Sequence, residues 1–247
     1  MAPTPTGLPP HVRTFLALIW PPMVGALLAV VGGNWVAPTP GAPALLFAGI
    51  GVMSWLFGAR WYGLRGMGLR GERPLFSSIG FGVLGWIALL LARFISVQIL
   101  LNNERGLGAT FIYLLVFEAF CLQVWAFGVF FHSVADWRNP LTAALLSGAL
   151  LGVAGYFLLA EAFRQSPAAL LYFPVWGVLY GMIRLRTGSL LGTIGVQAIQ
   201  SFTIWYLMLP PDNPPLADLN RFYLIGALFL AVLIWRLWPR RVSDYRV

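Results

Sequence analysis

The chain contains no lysine, one cysteine, two histidines and only eight acidic residues among 247 positions. Each shortage excludes something. A single cysteine, Cys121, rules out an internal disulfide and cannot make a thiolate metal site alone, and inside an apolar run it is expected to pack as a small hydrophobe. His11 and His132 fall at or beyond the ends of apolar runs, so an imidazole-held metal is not expected, and neither residue is assigned a special role. Charged residues make up 10% of the chain, against about 25% in an ordinary soluble domain, while 59% are hydrophobic. A soluble fold of this length could not bury that much apolar surface. Glycine-rich nucleotide fingerprints are absent, and no cofactor is implied. The first apolar run lacks a basic region ahead of it, so it is expected to remain as a membrane span.

What is present is a series of runs long enough to cross a hydrocarbon core, which takes about 20 helical residues. Eight are expected, at 14–32, 43–60, 77–101, 109–131, 140–161, 168–185, 188–210 and 221–238. Turn-forming clusters separate them, among them Pro38-Thr39-Pro40-Gly41, Asn139-Pro140, Ser166-Pro167 and the proline-rich stretch 210–215. The predicted fold class is all-α: a polytopic membrane helical bundle of about eight transmembrane helices. The expected organisation is an N-terminal tail at 1–13, a bundle at 14–238 and a C-terminal tail at 239–247.

All sixteen basic residues are arginines, giving a formal charge of +8. With eight spans, one side receives Arg13, Arg60, Arg65, Arg70, Arg73, Arg138, Arg184, Arg186, Arg236, Arg240, Arg241 and Arg246. The other receives Arg105, Arg164 and Arg221, each near an acid (Glu104, Glu161, Asp218). This bias places both termini in the cytoplasm. It also accounts for the basic charge by membrane topology, so no nucleic-acid partner is expected; the lipid bilayer is the partner that composition implies.

Two charges lie deep in the apolar runs: Arg93 in the third and Glu118 in the fourth. Measured from the turn between those runs at about 1.5 Å per residue, each is roughly 12–14 Å into the membrane, where they are expected to pair. Gln197, Gln200 and Ser201 of the seventh run fall at a similar depth, with Gln123 somewhat deeper, and one polar cluster is expected from them. Such residues ordinarily hydrogen-bond between helices. Small residues are dense in spans five to seven, including Gly148, Gly152, Gly177 and Gly181, as close helix packing requires.

The segment Phe173–Ala198, with Arg186-Thr187-Gly188-Ser189-Leu190 leading into Gln197, resembles the CAAX-protease and bacteriocin-processing (CPBP) family of intramembrane proteases. In that family, Thr-Gly-Ser-Leu precedes a helix carrying His-x-x-x-Asn or Asp. Glu118-Ala119-Phe120-Cys121-Leu122-Gln123 is similar to the family's Glu-Glu-x-x-x-Arg, and Pro140–Gly155 aligns with its proline-led helix ending Phe-x-x-x-His. The resemblance spans about residues 110–205. It implies Glu118 as candidate base, Gln197 as candidate oxyanion donor and Ser201 as a site residue, with Arg93, Gln123, Gly155 and Gln200 lining the site. It also implies a bacterial inner (plasma) membrane location and a membrane-protein or peptide substrate. The chain departs from the pattern at Ala119, Gln123, Leu151, Gly155, Gln197 and Ser201, so histidine never stands where the family places it. Removal of one oxyanion donor can lower a rate by about 10²–10³-fold, and several are changed here. The leading expectation is therefore a catalytically impaired homologue that binds a membrane or peptide partner. A divergent active endopeptidase using Glu118 is a second reading, and a small transporter gated by Arg93 and Glu118 a third.

Overall fold

Apolar stretches bounded by glycine and proline become helices here because, in lipid, a helix satisfies its backbone polar groups internally. The computed structural model describes residues 7–35, 42–69, 74–97, 100–101, 107–158, 166–209 and 215–246. Its helices are α1 (Pro10–Trp35), α2 (Ala42–Trp61), a single turn α3 (Gly63–Gly66), α4 (Leu75–Ser96), α5 (Leu107–Trp137), α6 (Pro140–Leu158), α7 (Ala169–Thr187), α8 (Leu191–Ser201, continuing through Phe202–Leu207) and α9 (Leu216–Leu237). Six of them, α1, α2, α4, α5, α6 and α9, are long and apolar enough to cross a membrane. The architecture is an all-α polytopic bundle. The expected sixth and seventh spans are α7 and α8, which are not among these six; α7 carries Arg184 and Arg186 in its last turn, and α8, at Leu191–Leu207, is shorter than the others. Thr193, Gln197, Gln200 and Ser201 are all buried on α8.

The helix at the centre is α5. Buried positions make up 72% of its apolar window, against 17–44% for the other five apolar helices. It packs on α1 and α2 on one side and on α6 and α8 on others, while α4 and α9 lie against α7 and each other. Exposed side chains such as Phe15, Phe94, Leu228 and Trp235 give the outer surface its apolar character.

The tightest approach is between α6 and α7. A Cβ added at Gly177 would fall on the Gly148 carbonyl oxygen, and one at Gly181 on that of Ala144. Only backbones stripped of side chains can come this close, which is the packing that small residues permit in membranes. At the end of α7 the chain reverses through Gly188, whose φ of 69° is left-handed and whose N–H caps Arg184 O at 2.8 Å. Leu190 N then donates to Gly68 O at 3.0 Å, tying the α7–α8 turn to the segment after α3.

One small departure from pure helix occurs. Leu100 and Leu101 (β1) pair antiparallel with Leu209 and Met208 (β2), joining the ends of α4 and α8. Beyond α9, a 3-10 turn at Val242–Asp244 brings the tail back beneath α7, where Arg246 N donates to Leu185 O at 2.9 Å.

Candidate functional site

Helix α5 leaves regular α geometry twice, through wide π-helical turns at Leu114–Phe120 and Val124–Phe130. Each such turn holds an extra residue and re-aims the side chains it carries, a feature frequent at functional positions. Glu118 lies in the first and Gln123 just before the second. Both point inward, with Glu118 6% exposed and Gln123 fully buried.

Facing them is α8, which also changes to wide turns just after Ser201. The Ser201 hydroxyl donates to Glu118 Oε1. One turn deeper, Gln123 Nε2 donates to Gln197 Oε1 at 2.7 Å, and Thr193 Oγ1 donates to Gln123 Oε1 at 2.8 Å. Beside them, Tyr180 OH of α7 donates to Gln200 Oε1 at 2.9 Å. A polar seam therefore joins α5, α7 and α8 within an apolar bundle. It has direction: hydroxyls feed amide oxygens and one carboxylate, leaving Gln197 Nε2 as a buried donor with no partner among the described residues.

Of the residues singled out from sequence, Glu118, Gln123, Gln197, Gln200 and Ser201 are brought together. Two others are not. Arg93 does not pair with Glu118. It is fully buried, but its Nη2 donates to Met208 O at 3.0 Å, and its Nε and Nη1 have no partner among the described residues. Arg93 stands in the last turn of α4, which ends at Ser96, whereas Glu118 lies in the interior of α5, and α4 packs on α7, α8 and α9 rather than beside α5. Gly155 also lies outside the seam. A Cβ there would meet Phe173 and Trp176, whose rings fill the space between α6 and α7. Loop residues Glu104, Arg105, Glu161 and Arg164 lie outside the described residues.

His132 differs from expectation too. Because α5 continues to Trp137, His132 is inside the helix and only 7% exposed. Its Nε2 lies 2.8 Å from Arg184 Nη2, and its ring packs on Tyr62 and Phe131. Nearby, Arg13 bridges to Asp136 at 3.0 Å and to Tyr62 OH at 3.2 Å. This second polar group lies at the arginine-rich end of the bundle, away from Glu118.

Thr193 and Tyr180 were missed in the sequence. Thr193 had a signal: with Gln197, Gln200 and Ser201 it forms a helical i, i+4, i+7, i+8 stripe. Tyr180 had none, since an aromatic in an apolar helix reads as core. Among the described residues no group of three or more His, Cys, Asp or Glu could hold a metal ion. Cys121 is buried, its Sγ 3.2 Å from Val116 O.

No family model, no curated protein and no solved structure matches this chain.

Proposed function

We propose that the chain is a CPBP-like intramembrane peptidase homologue whose catalytic site has lost its histidines and which acts by binding a membrane or peptide partner. The observation that carries this reading is the Ser201–Glu118 hydrogen bond, flanked by the Gln123–Gln197 pair. It sets a carboxylate from the fourth apolar run against the helix that, by the resemblance, supplies the oxyanion donors. A hydroxyl and an amide stand in for imidazole and asparagine there. The Glu118 carboxylate is occupied by a protein donor instead of facing a free imidazole, and such a pair holds two helices together without turnover. The position corresponding to the third helper, Gly155, is packed against aromatic rings.

One observation favours a divergent active endopeptidase as the second reading. Gln197 Nε2 is a buried donor with no partner among the described residues, on the same helix face as Ser201. A preorganised donor with no ground-state partner is what a developing oxyanion requires.

Purified protein incubated with membrane-spanning peptides, beside Glu118→Gln, separates the two. Peptide binding without cleavage in either form is the expected result. Cleavage by the wild type that disappears in Glu118→Gln overturns the impaired-site reading in favour of the active one.

Both readings place the arginine-rich end in the cytoplasm, following the positive-inside bias. Cysteine labelling from one side of sealed vesicles, with single cysteines at Ser243 or His11 in a Cys121→Ala background, is expected to reach both from that side.

A further inference from the structure

Helices α4, α7 and α9 meet near the end of the bundle opposite the arginine-rich one. A Cβ added at Gly226 of α9 would touch Leu89 of α4 and Tyr172 of α7, each at 3.2 Å. One turn along α4 from Leu89 stands Arg93. One turn along α9 from Gly226 stands Tyr223, close enough to Arg93 for the two to interact electrostatically. The rings of Tyr172 and Tyr223 lie 5.1 Å apart. Ser96, three residues beyond Arg93, falls on the same face of α4 and is buried as well.

The buried polar atoms Arg93 Nε, Arg93 Nη1, Ser96 Oγ, Tyr172 OH and Tyr223 OH have no partner among the described residues. The bond from Arg93 Nη2 goes to the Met208 carbonyl, which is neutral. A guanidinium does not shed its proton, so its burial calls for an opposite charge nearby. The described acids are engaged elsewhere: Glu118 with Ser201, Asp136 with Arg13, Asp218 with Arg221 and Asp244 with Arg186. Glu72, Glu104, Glu161 and Asp212 lie outside the described residues. The donors also indicate the shape of the acceptor. Nε and Nη1 carry about three N–H hydrogens and the hydroxyls add about three more. A planar carboxylate offers about four lone-pair sites, whereas a tetrahedral phosphate offers more and matches the guanidinium fork. Helix α4, with 22 residues, is about 33 Å long and just spans a hydrocarbon core, so its last turn reaches the headgroup boundary.

We propose that Arg93, with the hydroxyls of Tyr172, Tyr223 and Ser96, binds a phosphate group at the junction of α4, α7 and α9. Met208 O, on β2, covers one side of the guanidinium and leaves Nε and Nη1 for the ligand. The phosphate belongs either to a lipid headgroup of that leaflet or to free inorganic phosphate, since the recognising chemistry is the same. The site is separate from the seam and independent of whether Glu118 is catalytic.

The test is a titration of the full-length protein, delipidated in detergent, with inorganic phosphate, dioleoyl phosphatidic acid and dioleoylglycerol, the last being the same lipid without its phosphate. Binding is read by native mass spectrometry and by the rise in melting temperature that a ligand of the folded state produces. The expected result is uptake of at least one of the two phosphate compounds, and the one that binds identifies the source. Tyr172→Phe and Tyr223→Phe each delete a hydroxyl that bonds no described residue, so the fold is expected to survive both changes. Each is expected to weaken phosphate binding about tenfold, as loss of a hydrogen bond to a charged group does. Arg93→Gln is expected to abolish it. No uptake of either phosphate compound, with phosphatidic acid bound no tighter than dioleoylglycerol, would overturn the proposal; this is also the result if one of the chain's own carboxylates neutralises Arg93. Wild-type phosphate affinity in both tyrosine variants would overturn it equally.

Discussion

Arg184 Nη2 donates to His132 Nε2 across 2.8 Å, and the same nitrogen donates to Gly66 O at 3.0 Å. The Arg184 Nε reaches Phe127 O at 3.4 Å. One buried guanidinium thus ties α7 to α5 and to the turn after α2. An imidazole that accepts at Nε2 carries its proton on Nδ1, so the arrangement selects one tautomer of His132.

Arg184→Lys should lose most of this tie, because an ammonium cannot span three acceptors arranged around a planar fork. Leaving buried acceptors unpaired costs about 1–3 kcal/mol each. The expected outcome is a clear fall in thermal stability in detergent, read by the loss of monomeric protein on size-exclusion chromatography after heating. A melting temperature equal to that of the wild type would contradict the assigned contacts.

The seam makes a paired prediction. Ser201→Ala leaves Glu118 buried without its donor and should destabilise by about 1–3 kcal/mol. Glu118→Gln keeps an acceptor for the Ser201 hydroxyl and should cost less. A double-mutant cycle between the two positions is expected to show coupling above about 0.5 kcal/mol, while independent effects would mean that the pair does not form.

Glycine changes discriminate the packed face from open space. Gly177→Ala drives a methyl into the Gly148 carbonyl and should cost about 1–3 kcal/mol, as overpacking does. Gly195→Ala meets nothing within 4 Å and should be neutral or gain up to about 1 kcal/mol from helix propensity. Ranking the two by thermal unfolding in one detergent checks the α6–α7 contact directly.

The tail carries a pH dependence. The backbone N–H groups of Arg240 and Arg241, together with Arg186, hold the Asp244 carboxyl below the usual aspartate range. A depressed pKa means that the latch is complete above the ordinary aspartate value and is lost as pH falls through the lower folded value. Hydrogen exchange at Arg240 and Arg241, corrected for intrinsic rates, should therefore be unchanged from pH 7 to pH 5 and accelerate only in stronger acid. Asp244→Asn should show the accelerated exchange already at pH 7.

Much of the helical framework was legible because long apolar runs leave the backbone few choices in lipid. The expected runs at 43–60 and 168–185 match α2 and α7 within about two residues, and the run expected from 140 begins where α6 does. The boundary after α5 was not legible. The apolar run ends at Phe131, yet the helix continues through His132 and Asp136, whose polar groups are met by Arg184 and Arg13. Partners from distant helices, and not local hydropathy, carry those two turns. Within the candidate site, depth counting grouped Glu118 with Gln197, Gln200 and Ser201. It could not give rotation about the helix axis, which the wide turns of α5 alter.

Composition alone determined that this chain lives in a membrane as a bundle of helices, because unpaired backbone groups and so much apolar surface leave no other stable state. Which polar groups meet was decided only by tertiary structure. Arg93 and Glu118 are expected to pair from their places in the sequence yet turn to different partners, Met208 and Ser201, because helix neighbourhood depends on how small residues let particular backbones touch.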